Sequence, residues 1–330
     1  MSFFRRKGGE AVGLTIFFAT DLHGSDTCFR KFLNARNVYE ADVLILGGDL
    51  TGKLAVPLLR NGEKSYTVIG PGSPYDISES QRQEVEAGMR KSGYYPFVID
   101  RSDAERFRTD PTLVEDKLSL LMHDRLRAWS DWAQEKLSGT DTEILVAPGN
   151  DDPPSIDPLL KSLPRFRVVE GEHVNLAGGG ACALLSSGYS NRTPWATHRE
   201  MDEPSLKDYF ETIAAKVTDF AHLVCNFHIP PYDSQLDNGP MLDPTTMKVK
   251  SGFGQEVSAP VGSRACREFL ETHQPLVSLH GHIHESRGVT RIGRTVAINP
   301  GSDYGDGILR GALVQISPSG DLVRYQLTSG

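Results

Sequence analysis

The sequence predicts an α/β protein in which helices cover the faces of sheets. Short apolar runs recur along its 330 residues, and most end directly on Gly, Asp, Asn, His or Pro. Between several of them lie stretches with helical spacing of apolar residues, the alternation expected when helices pack on a sheet. From about residue 181 onward strand outweighs helix, which predicts a second sheet packed on the first.

The predicted strands are 14–19, 42–46, 143–147, 181–185, 222–227, 276–279, 295–298 and 311–316. The first is followed at once by Thr20 and Asp21, so it reads as a buried strand and not as the core of a signal peptide. Residues 118–137 carry Leu118, Leu121, Met122, Leu126, Trp129 and Trp132 at helical spacing, and 205–220 and 263–272 are further helices. About 90 residues separate Gly52 from the strand at Glu143, far more than a strand-to-helix connection needs. Part of that is the 118–137 helix. The rest, 53–110, holds Gly70-Pro71-Gly72-Ser73-Pro74, a helix at 78–92 and a short strand at 94–99. It reads as a cap inserted near the active site of a single 1–330 domain, with a peripheral decoration as the alternative. A second long segment, 232–259, is rich in Gly, Pro and Asp.

Composition narrows the function. The chain is 38% hydrophobic and 24% charged, ordinary for a soluble globular enzyme. With 35 basic against 43 acidic side chains the formal charge is -8, which disfavours binding to duplex nucleic acid but leaves room for a local basic pocket. Cys28, Cys182, Cys225 and Cys266 are far apart and form no CxxC pair; all four read as structural, in a reducing compartment. The N-terminus carries Arg5, Arg6 and Lys7 but lacks the apolar stretch of a signal peptide. No run reaches the roughly 18 apolar residues of a membrane span. A cytoplasmic protein with no membrane partner is expected.

Five blocks at predicted strand ends carry the chemistry: Asp21-Leu22-His23-Gly24, Gly47-Gly48-Asp49-Leu50-Thr51-Gly52, Gly149-Asn150-Asp151-Asp152, Asn226-Phe227-His228-Ile229-Pro230-Pro231 and Gly281-His282-Ile283-His284. Strand-end loops are where α/β sheets hold functional groups on a rigid support. His282 and His284, in an extended segment, point to the same side. Together the blocks offer two carboxylates, one amide oxygen and four imidazoles, a mixed set suited to Mn, Fe or Zn better than to Ca or Mg alone. Singly, each block has an ordinary reading as a turn, a tight loop or a packed histidine. Four of the ten histidines fall inside them, and their joint recurrence at strand ends makes coincidence a poor explanation.

The order DxH, GGD, GN(H/D), H, GHxH resembles the calcineurin-like metallophosphoesterase superfamily. The likeness spans roughly residues 14 to 302 and includes Asn299-Pro300-Gly301-Ser302, similar to the family's late NPGS element. Within the superfamily it looks most like the Icc-related predicted phosphoesterases. The resemblance implies a four-layer α-β-β-α sandwich of two mixed sheets flanked by helices. It also implies two divalent ions, Mn favoured. Asp21, His23 and His284 would hold the first, Asn150, His228 and His282 would complete the second, and Asp49 would bridge them. The implied reaction is attack on phosphorus by a metal-bridging hydroxide, with Asn150 also meeting the phosphate. Asp152 would orient a ligand from behind, and His280 is either a supporting group or a packed core histidine.

One position departs from that pattern. Many family members carry His after Gly-Asn, where it is thought to protonate the leaving group; here the residue is Asp151. A carboxylate beside two dications stays ionised and is a poor acid near neutral pH. This favours a phosphodiester or an activated ester of a small molecule, nucleotides included, or an acid recruited from elsewhere. Residues 188–199 supply substitutes: His198 as proton donor, Arg192 or Arg199 as phosphate clamps. Their bland alternative is a surface loop held by Trp195. The rival functions are phosphomonoesterase or protein phosphatase, nuclease, and a non-catalytic scaffold; the acidic balance counts against the nuclease, and the complete ligand set against the scaffold.

Overall fold

The computed structural model describes residues 12–176, 182–241, 243, 246, 248–252 and 255–330. The basic N-terminus read above lies outside the described residues, as does the first residue of the strand predicted at 181–185.

Two six-stranded mixed sheets form the centre. In the first, Leu14–Ala19, Val43–Leu46, Glu143–Val146 and Arg167–Val168 run parallel, and Arg310–Ile316 and Leu322–Ser329 close one edge antiparallel. In the second, Ala183–Ser187, Leu223–Phe227, Val277–Leu279 and Thr295–Asn299 run parallel between antiparallel edges His173–Asn175 and Gly288–Ile292. Every residue of Leu14–Ala19, Val43–Leu46 and Leu223–Phe227 is buried, because both faces of each sheet are covered.

Side-chain alternation explains the layers. Ile16, Phe18, Val43 and Ile45 face the second sheet, where they meet Leu184, Val224, Val277 and Ile298. Phe17, Ala19, Leu44 and Leu46 face outward onto helices Asp26–Tyr39 and Pro111–Lys136, with Phe29 stacked on Trp129 at 4.2 Å. On the far side, Leu223, Cys225 and Phe227 pack under Glu203–Ala214 and Arg264–His273. The fold is a four-layer α-β-β-α sandwich.

The predicted strands fall within two residues of the observed ones. The 118–137 helix starts earlier, at Pro111, where Asp110 caps the Thr112 amide and proline takes the first turn. The 205–220 helix stops at Ala214. Helix Asp26–Tyr39, N-capped by Ser25, was not expected. The insertion is also richer than predicted. Strands Ala55–Arg60, Ser65–Val68, Tyr75–Ser78 and Tyr95–Ile99 make a separate four-stranded sheet with its own small core of Val56, Leu58, Tyr66, Val68 and Ile77. Helices Glu79–Lys91 and Arg101–Thr109 accompany it. All four cysteines are buried and free. Among the described residues no helix is long and apolar enough to cross a membrane.

Candidate metal centre

The five blocks come together because they leave the same ends of parallel strands in the two facing sheets. Asp21 and His23 follow Leu14–Ala19, Asp49 follows Val43–Leu46, and Asn150 follows Glu143–Val146. From the second sheet, His228 follows Leu223–Phe227, and His282 and His284 follow Val277–Leu279. Asp21, His23, Asp49 and His282 all have left-handed backbones, with φ of 54°, 42°, 49° and 65°. Asp and His tolerate that region better than most residues, yet it costs about 1–3 kcal/mol each and is kept where the surroundings impose it. Two glycines permit the crowding. A Cβ on Gly48, at φ 138°, would lie 2.3 Å from the His228 ring, and one on Gly149 would lie 2.2 Å from the Asp49 carboxylate.

Three groups could each hold a cation, with ligand atoms all within 4.8 Å of one another: Asp21, His23 and His284; Asp49, His228 and His282; and His23, Asp49 and Asp151. The groups share members, so the sites adjoin. Asp49 Oδ2 lies 3.7 Å from His23 Nε2 and 3.5 Å from His228 Nε2, between the first two groups. Asn150 Oδ1 lies 2.7 Å from His282 Nδ1 and 3.1 Å from His228 Nε2. Asp21 Oδ1 is 3.3 Å from His284 Nε2. Asp21, His23, Asp49, Asn150 and His228 are at most 2% exposed, whereas His282 and His284 are partly exposed and mark the mouth.

Such crowding of lone pairs fits divalent cations. His23 Nε2 and His284 Nε2 face each other at 3.2 Å, and the Nδ1 atoms of His23 and His228 are buried without partners. Burial, reinforced by His284, pulls the His23 imidazole down to about 3, so it is neutral and able to ligate. Burial pushes the Asp49 carboxyl up to about 7, a position a dication would reverse. Burial opposes a charged His228, but Asp49 and Asp21 hold it up at about 9.

Support comes from behind. The Asn150 amide nitrogen donates to Thr197 Oγ1 at 2.8 Å, which leaves Oδ1 facing the histidines; Thr197 donates onward to Glu200 at 2.6 Å. Asn299 donates to the carbonyls of Ile283 and Leu236, and Ser302 donates to the Asp21 carbonyl, so the NPGS segment fastens two ligand loops. Tyr304 lays its ring 4.6 Å from that of His23. Thr197, Tyr304 and Lys53 were not singled out in the sequence.

Of the remaining sequence readings, those for Asp152, Arg199 and Trp195 need correction, while His280 fits the second of its two readings. Asp152 is fully buried and grips backbone amides of Leu50, Thr51 and Gly149, not a ligand side chain. Arg199 is 4% exposed, with its guanidinium on Asp157 and the Asp152 carbonyl, so it braces the Asn150 loop and has no free face for phosphate. Arg192 is on the surface, 3.8 Å from Asp202. His198 is exposed, one residue past Thr197. Trp195 is 65% exposed and does not hold the 188–199 loop; Glu200 does, through Thr193 and Thr197. His280 is a core histidine bonded to the carbonyls of Phe227 and Ile229. Asp151 is 10% exposed, donates its amide to Asp49 Oδ1 at 3.0 Å, and pairs its carboxylate with the Lys53 ammonium. Burial opposes its ionisation, but Lys53 holds the carboxyl below the usual range.

No known family's sequence model matches the chain. An uncharacterised protein of Methanocaldococcus jannaschii is 27% identical over 163 residues, 48% of this chain and 63% of that protein. The chain therefore spans less than two thirds of the curated relative it matches. Two solved structures are similar over nearly the whole chain. One has a TM-score of 0.52 at 14% identity, covering 95% of this chain and 98% of its own. The other, the crystal structure of a Thermus thermophilus protein, has a TM-score of 0.50 at 14% identity, covering 97% and 99%. At that identity the likeness establishes the fold, and the chemistry must be argued from the site.

Proposed function

We propose that this chain is a metal-dependent phosphoesterase of the calcineurin-like kind that hydrolyses a phosphodiester or activated phosphoester of a small molecule. The observation that carries the reading is the pair of adjoining ligand groups with the Asp49 carboxylate between them. Asp21, His23 and His284 would hold one divalent ion, and His228, His282 and Asn150 the other, with Asp49 common to both. Two such ions, when bound, would supply an activated water and neutralise charge developing on phosphoryl oxygens.

The remaining work falls to the chain's own residues. Tyr304 covers one side of the site against His23 and His284, at 4.6 and 5.9 Å between rings. Thr197 fixes the amide orientation of Asn150, so its oxygen and not its nitrogen meets the site. Asp151, ionised and paired with Lys53, is no proton donor, which favours substrates whose leaving group needs little protonation. The 53–110 insertion acts as a cap: it borders the site through Lys53 and through Tyr95, whose hydroxyl accepts the Gly52 amide at 2.9 Å.

Metal content of the purified protein, with hydrolysis of bis-(p-nitrophenyl) phosphate and p-nitrophenyl phosphate in added Mn, tests the reading. About two metals per chain and chelator-sensitive diesterase activity above monoesterase are expected. A faster monoester would overturn the diester preference, and absence of both metal and activity after reconstitution would overturn the enzyme.

A further inference from the structure

Among the described residues, Lys53 is a cation at the exposed side of the candidate metal centre that the five blocks do not account for. Lys53 follows Gly52 directly, at the point where the chain leaves the Asp49 loop for the insertion. Its backbone is set by the insertion, through the Gly52 amide on Tyr95 and the Tyr95 amide on the Leu54 carbonyl at 3.0 Å. Its side chain is 61% exposed, yet its ammonium turns back onto Asp151. The Asp151 carboxylate belongs to a group whose ligand atoms lie within 4.8 Å of those of His23 and Asp49. Lys53 therefore stands one contact from the candidate ligand cluster, on the side where Asp151, His23 and Tyr304 lie.

We infer that Lys53, positioned by Asp151, contacts the leaving oxygen of the substrate and stabilises it as an anion. The inference rests on the phosphoesterase reading above and deepens it. As a water oxygen bonds to phosphorus, the bond from phosphorus to the leaving oxygen breaks, and that oxygen keeps the electron pair. The water's proton passes to solvent, and the leaving group is later protonated by solvent. An ammonium aimed at the oxygen supplies charge where charge develops, without itself giving up a proton. Arg199 and Arg192 do not compete for the role, because the first is buried on Asp157 and the second lies beside Asp202. The device suits leaving groups of low basicity, such as a phosphate or a phenolate, and suits alkoxides poorly. The substrate class it implies is a phosphoanhydride or aryl ester of a small molecule.

The test uses the full-length, Mn-loaded protein with methyl p-nitrophenyl phosphate and methyl phenyl phosphate. For Lys53→Met, kcat on the phenyl ester should fall about 100-fold, the scale of losing one preorganised charge-stabilising donor. The loss on the p-nitrophenyl ester should be several-fold smaller, since its leaving oxygen needs less help. Lys53→Arg should recover most of the difference. Asp151→Asn should lower activity in the parent and add nothing in the Lys53→Met background, as expected of a residue that acts through Lys53. Metal content is measured on every variant. Equal losses on the two esters, no loss on either, or loss of metal from Lys53→Met would each overturn the inference while leaving the phosphoesterase reading standing. A parent protein inactive on both esters would overturn that reading and the inference with it.

Discussion

Asp152 ties two ligand loops together, and its replacement gives a sharp measure of how the centre is held. Oδ2 accepts the amides of Leu50 and Gly149 at 2.9 and 2.8 Å; Oδ1 accepts the Thr51 amide at 2.9 Å and its hydroxyl at 2.7 Å. The side chain is 0% exposed, so no water can replace a lost partner. In Asp152→Asn the new amide nitrogen must face one of those donor pairs. The cheaper choice faces Thr51, whose hydroxyl can rotate to accept, and orphans one backbone amide at about 1–3 kcal/mol. The two bonds to Leu50 and Gly149 become neutral, each weaker by about 1 kcal/mol. Burial raises the Asp152 carboxyl's pKa, and relief of that cost offsets part of the loss. A net destabilisation of about 2–4 kcal/mol follows, and Asp152→Ala, which leaves every donor unpaired, should cost more. Urea unfolding of the metal-free proteins at neutral pH measures both. Metal affinity should fall in parallel by about tenfold or more, because the spacing of Asp49 and Asn150 depends on the clamp. If Asp152→Ala unfolds within about 1 kcal/mol of the parent, the account of Asp152 as a loop clamp is wrong.

Three other outcomes are expected. Thr197→Val frees the Asn150 amide to rotate, so metal affinity should weaken about tenfold with little change in urea midpoint; a midpoint shift without an affinity change would contradict the orientation argument. Gly48→Ala places a methyl 2.3 Å from the His228 ring at a backbone φ of 138°, and should abolish binding of at least one metal, read by metal content. Glu170 accepts the Gly188 amide and the Tyr209 hydroxyl, and burial lifts its carboxyl to about 7. Its folded pKa lies above its unfolded value of 4.5, so its contribution is full below pH 4.5 and is lost as pH rises through 7. Partial solvent contact reduces the swing to about 2 kcal/mol. Unfolding of Glu170→Gln against parent between pH 5 and 8 should show the parent alone declining by that amount, and parallel curves would refute it.

What the sequence disclosed and what it hid divide along physical lines. Both central sheets were legible because their strands are buried on two faces and read as unbroken apolar runs, as in Leu14–Ala19. The insertion's strands were not: Ser65–Val68 and Tyr75–Ser78 are short and bury only alternate residues or fewer. Helix Asp26–Tyr39 carried readable signals, with Ser25 as its cap and Cys28, Phe29, Phe32 and Leu33 on one face, directly after the DxH block. The candidate ligand residues were legible because metal binding would restrict residue type, and Asp, Asn and His recur at strand ends. The groups around them answer to geometry alone. Arg199 looked like a phosphate clamp because arginine serves equally well as a buried brace, and only the contact with Asp157 decides between the two. Lys53 was hidden for the opposite reason: a lysine in a loop looks like solvated charge, and its partner Asp151 lies about 100 residues further along the chain. The departure at Asp151 could be seen in the sequence, but its counterpart could not. A carboxylate at that position fixes a cation at the site only where one is within reach, and the chain's exit into the insertion puts Lys53 there.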